Sequence, residues 1–104
     1  MIDRQIIETV LRVIPEITEE KMLTPCKKRS FSDQRELFTY LVRDIWWIVT
    51  LDDLAEYFKQ TRTNVWNYEK VYSGLIEFNR TERERYEAIK SKVIAEMLKT
   101  SLMA

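Results

Sequence analysis

Histidine is absent from this chain, so it lacks the commonest zinc ligand and the commonest general base. One cysteine, Cys26, excludes an internal disulfide and a cysteine-rich metal cage. Glycine appears once and proline twice, too few for the turns of an all-β protein or for a glycine-rich phosphate loop. The 17 basic and 17 acidic side chains cancel, so no long-range positive field exists and any basic site must be local. No apolar run reaches the length of a membrane span, and Met1-Ile2-Asp3-Arg4 lacks the basic-then-apolar start of a signal peptide. The chain reads as soluble and cytoplasmic, without metal, nucleotide or other cofactor.

What is present is helical spacing. At 104 residues, 45% hydrophobic and 33% charged, the chain has the composition of one globular domain, expected to span residues 1–104 with a tail fraying from about Thr100. Ile6, Ile7, Val10, Leu11 and Ile14 form one apolar stripe that Pro15 closes. Thr18 caps a short helix through Leu23, and Thr24 to Ser30 read as a loop because Lys27, Lys28 and Arg29 repel one another. Ser30 or Ser32 caps the next helix, which carries Leu37, Phe38, Leu41, Val42 and Ile45. Its end is ambiguous, since Trp46-Trp47-Ile48-Val49 is also β-prone.

Thr50 with Asp53 resembles a capping box before Leu51, Leu54, Ala55 and Phe58. Lys59-Gln60-Thr61 is a tight polar break, and Thr61 or Thr63 caps a longer helix with Val65, Tyr68, Val71, Tyr72 and Leu75. Gly74 inside it costs roughly 1 kcal/mol against alanine and points to close packing or an early helix end. Thr81-x-x-Glu84 is a capping box for a last helix with Tyr86, Ile89, Val93, Ile94 and Met97. The fold class is all-α, about six helices.

No catalytic set is visible, and an enzyme is not expected. Asp52-Asp53 reads as first-turn charge that suits the helix dipole, and Cys26 as a free thiol. The informative feature is the pair of short helices around a tight turn, with small Ala55 at the contact, which matches a helix-turn-helix. Gln60, Thr61, Arg62, Thr63, Asn64 and Asn67 then stand at the start of the second helix, where arginine can pair with guanine and asparagine or glutamine with adenine. Lys27, Lys28, Arg29, Arg35 and Arg43 supply local positive charge for phosphates. Of the adjacent indoles Trp46 and Trp47, at least one is expected to reach the surface as a partner contact.

With these pieces in order, the chain resembles the C-terminal DNA-binding domain of the bacterial replication initiator DnaA, from about Ile2 to Leu98. The family's opening helix, short helix and basic loop correspond to Ile6–Ile14, Glu19–Leu23 and Lys27-Lys28-Arg29. Its long helix corresponds to Arg35–Asp44, and its "SLPEIGxxF" helix to Thr50-Leu51-Asp52-Asp53-Leu54-Ala55-Glu56-Tyr57-Phe58. Its signature corresponds to Gln60-Thr61-Arg62-Thr63-Asn64-Val65, with Thr61 and Arg62 where the family has Asp and His, and the Trp46–Val49 link is one residue longer. The resemblance implies a Trp-repressor-like fold with a central helix-turn-helix. It implies Arg29 as a minor-groove arginine and Arg35 as a phosphate contact. The implied partner is double-stranded DNA, in replication or transcription control, with a nucleoid location. The alternative is a protein-interaction module that keeps the fold without DNA binding. Recognition of the family's standard box is not implied, and the initiator's ATPase domain has no counterpart here.

Overall fold

A computed structural model describes the backbone of residues 1–103 and the side chains of residues 1–100. Six helices follow one another, with no strand among the described residues: α1 (Arg4–Val13), α2 (Glu19–Leu23), α3 (Arg29–Ile45), α4 (Leu51–Phe58), α5 (Arg62–Phe78) and α6 (Arg80–Met103). The all-α expectation holds. The fraying expected from about Thr100 falls mostly on residues 101–104, whose side chains, and at residue 104 whose backbone, lie outside the described residues.

Local chemistry sets most boundaries. Asp3 caps α1 by accepting from the Gln5 N–H at 2.8 Å, and the helix stops at Ile14 before Pro15. Thr18 caps α2. At α4 the capping box forms in full: Thr50 Oγ1 accepts from the Asp53 N–H at 3.1 Å, and Asp53 Oδ2 accepts from the Thr50 N–H at 3.0 Å. Thr61, and not Thr63, caps α5, accepting from the Asn64 N–H at 3.2 Å.

Three expectations are corrected. Neither Ser30 nor Ser32 caps α3, because the helix begins earlier, at Arg29, with the Lys28 carbonyl accepting from Phe31 and Ser32. The charge repulsion expected to keep Arg29 in a loop is relieved by Asp33, 2.9 Å from its guanidinium. Thr81 does not open α6; Asn79 does, accepting from the Glu82 N–H at 3.0 Å and leaving one residue between α5 and α6. Gly74 neither ends α5 nor makes a close contact, since a Cβ there would meet nothing within 4 Å.

The Trp46–Val49 link resolves as a turn, with the Val49 N–H donating to the Trp46 carbonyl at 2.9 Å. Trp46 packs against the core, while Trp47 is 85% exposed.

α3 is the spine. Leu37, Phe38, Leu41 and Val42 are buried on it, and it packs against α2, α5 and α6. Phe38 stacks on Tyr57 of α4 at 5.9 Å and meets Phe58 edge-on at 6.0 Å. On the other side Tyr40, Tyr72 and Tyr86 cluster with centroids 5.2–5.8 Å apart, tying α3, α5 and α6. Asp44 accepts from the Tyr86 hydroxyl at 2.6 Å and pairs with Lys90 at 3.0 Å.

Leu41 is fully buried at the centre of this spine. Leu41→Ala is expected to lower unfolding free energy by about 2–5 kcal/mol in urea titration; a loss under about 0.5 kcal/mol would contradict the packing.

Candidate nucleic-acid interface

Helices α4 and α5 are joined by Lys59, Gln60 and Thr61 alone. Lys59 takes the left-handed conformation (φ 56°, ψ 46°), which lets the Gln60 N–H reach back to the Ala55 carbonyl at 3.0 Å. Glycine usually holds such a position, so this sharp turn leaves little mark in the sequence. The result is a helix–turn–helix with Leu54, Phe58 and Val65 buried between its helices and α3.

This geometry frees the start of α5. Arg62, Thr63, Asn64 and Asn67 are all exposed. Thr61 is exposed but its hydroxyl is committed as the cap. Gln60 is half-buried and its Oε1 accepts from the Tyr68 hydroxyl. Arg62 lies 3.8 Å from Asp52 of α4, a loose pair between two well-exposed side chains. Trp66, 46% exposed, follows one turn later with Lys70 4.8 Å from its ring centroid.

The basic residues separate into three environments. Lys27 and Lys28 are exposed and make no ion pair among the described residues. Arg29 is exposed but leans on its own helix, 2.9 Å from Asp33 and 3.6 Å from Glu36. Arg43 bridges to Glu69 of α5 at 2.5 Å and donates to the Val49 carbonyl.

Arg35 does not fit the phosphate role that the family resemblance implied. It is 2% exposed, and its guanidinium donates to the carbonyls of Met22, Thr24 and Cys26. These carbonyls lie at the end of α2 and in the following loop, where helix carbonyls lack partners of their own. Its position was legible: Arg35 shares the apolar stripe of Phe38 and Val42 at helical spacing. The same guanidinium sits 6.0 Å over the Tyr68 ring, and Tyr68 in turn holds Gln60. Two side chains therefore connect the backbone of the basic loop to the turn before α5.

Glu36 is a second charged group inside, 4% exposed, beside a cleft lined by Arg29, Tyr72, Glu82 and Arg85. Burial pushes its carboxyl above the usual range, and Arg29 only partly offsets this. Elsewhere Glu19 is held below the ordinary carboxylate range by Arg4, at 2.5 Å, and by the Tyr57 hydroxyl. Asp53 is lowered to about 2 by the N-terminal amine at 2.7 Å and by the Thr50 backbone. No group of His, Cys, Asp and Glu among the described residues is arranged to hold a metal ion. No described helix is long and apolar enough to cross a membrane.

Comparison of the chain with protein-family models, with curated proteins and with solved structures finds no match.

Two predictions follow from the buried charges. Arg35→Met is expected to cost about 3 kcal/mol in urea titration, because it strands buried carbonyls, and Arg35→Lys is expected to recover little, since one ammonium cannot span three acceptors. Equal stability of Arg35→Lys and wild type would show that the fork is not needed. Glu36 binds its proton more tightly folded than unfolded, so its contribution to stability falls as pH rises through its raised pKa. Glu36→Gln should therefore raise the melting temperature at pH 7 and leave it nearly unchanged near pH 4; a gain confined to acid pH would reverse this assignment.

Proposed function

We propose that this domain binds double-stranded DNA sequence-specifically as a helix-turn-helix module of the kind found in the DnaA C-terminal domain. The observation that carries the reading is the exposed start of α5, where Arg62, Thr63, Asn64 and Asn67 stand together on a helix end tied through Tyr68 and Arg35 to the Lys27–Lys28 loop. Those side chains have the hydrogen-bonding repertoire to read base edges in a major groove. Lys27 and Lys28 supply phosphate contacts, and Arg29 reaches a neighbouring minor groove once it leaves Asp33. Arg35 acts by holding the loop rather than by touching DNA. A role in replication or transcription control, at the nucleoid, follows from this reading.

The rival reading is a protein-interaction module on the same fold. Its specific support is the turn after α3, where Trp47 is 85% and Ile48 72% exposed. The zero net charge favours it as well.

Selection from a random duplex library at moderate salt, followed by affinity measurement on the enriched site, separates the two. Apparent affinity should fall steeply with salt, and Lys27→Ala with Lys28→Ala should weaken binding to all duplexes alike. Arg62→Ala should cost about 1–3 kcal/mol on the selected site and relax preference for guanine at one position. Equal losses on selected and random DNA would reduce Arg62 to a phosphate contact. No binding to any duplex at low salt would overturn the DNA reading in favour of the interaction module.

A further inference from the structure

The outer face of α5, beyond the turns that carry Arg62 to Asn67, bears a group of largely exposed side chains, of which Lys70 leans on the Trp66 ring of the same helix. Gly74 lies mid-helix, and a Cβ there would meet nothing within 4 Å. No contact among the described residues therefore calls for the least favourable helix residue after proline. Around it stand Lys70, Val71, Glu77 and Phe78, three and four residues to either side. At 3.6 residues per turn, Lys70 and Glu77 fall to one side of Gly74 and Val71 and Phe78 to the other. Val71 is 45% and Phe78 85% exposed. Among the described residues, neither Lys70 nor Glu77 is ion-paired within the chain.

We propose that this face is a homodimer interface, in which α5 of two copies of the chain cross antiparallel at Gly74 about a two-fold axis. Such an axis, lying between the helices and perpendicular to them, reverses direction along the helix and keeps left and right. Lys70 of one copy then meets Glu77 of the other, and Val71 meets Phe78, each pair occurring twice. A parallel crossing would set Lys70 against Val71 and Glu77 against Phe78, so the charge pattern selects the antiparallel one. A patch that is its own complement is what a two-fold interface requires. Glycine on the axis lets the two backbones approach closely, and Phe78 gains the apolar cover it lacks in one copy. The patch is small, so the dimer is weak and concentration-dependent.

Sedimentation velocity of the whole chain from about 10 μM to about 1 mM tests this, with a shift from monomer to dimer expected. Gly74→Leu should remain folded, with a melting temperature at or above wild type because leucine favours helix, and should associate at least about tenfold more weakly. Lys70→Glu and Glu77→Lys should each weaken association about tenfold, and the double reversal should restore it. A monomer throughout the concentration range would overturn the proposal. So would unchanged association of Gly74→Leu, failure of the double reversal to restore association, or a dimer abolished by Trp47→Ser but not by the α5 variants. None of these readouts involves DNA, so they stand apart from the test of DNA binding.

Discussion

The guanidinium of Arg35 is buried without a carboxylate partner, and it is neutralised instead by backbone dipoles. Its donors converge on the carbonyls of Met22, Thr24 and Cys26, which the end of α2 and the following loop leave without partners. Lysine could not do this, because only the planar fork presents donors in several directions at once. The contact fixes the course of the chain between α2 and α3, and so fixes where Lys27 and Lys28 emerge. Through Tyr68 and Gln60 the same side chain bears on the turn between α4 and α5. The basic loop and α5 are thereby parts of one assembly seated on α3.

Around this clamp the structure distributes charge in short-range pairs. Arg4 with Glu19, Arg12 with Glu96, Arg43 with Glu69 and Lys90 with Asp44 each join different helices. Most are partly exposed, so each contributes little to stability. Lys27 and Lys28 are among the exposed basic residues without an ion pair among the described residues, and Arg62 is held only loosely by Asp52. A chain of zero net charge thus still carries unpaired positive charge on the loop before α3 and loosely paired charge at the start of α5, both linked to the clamp.

The apolar surface is divided in a similar way. The indole of Trp46 is drawn into the groove between α1 and α6, beside Ile6 and Met97, and its neighbour Trp47 is left outside. Adjacent residues in a turn cannot both face inward, and the core had room for one. Val71 and Phe78 on α5 are exposed for a different reason, because Tyr68, Tyr72 and Leu75 already supply the face that α5 turns toward α3 and α6.

The sequence by itself determined the helical class, nearly every helix, the caps at Thr18 and Thr50, the α5 cap to within Thr61 or Thr63, and the order of elements around the α4–α5 turn. These depend on spacing and on side chains bonding to backbone a few residues away, both of which are local. It also placed Arg62, Thr63, Asn64 and Asn67 at the exposed start of α5, because a cap fixes which residues follow it. Only the tertiary structure decided which carbonyls the Arg35 guanidinium meets, that Glu36 is buried beside the α5–α6 corner, that Trp46 rather than Trp47 packs, and that among the described residues nothing from another element comes within 4 Å of a Cβ placed on Gly74. Each of these depends on which surface another helix covers. Helical spacing puts Arg35 on the stripe of Phe38 and Val42, but only the packing of α2 against α3 brings the carbonyls of a neighbouring loop to its guanidinium.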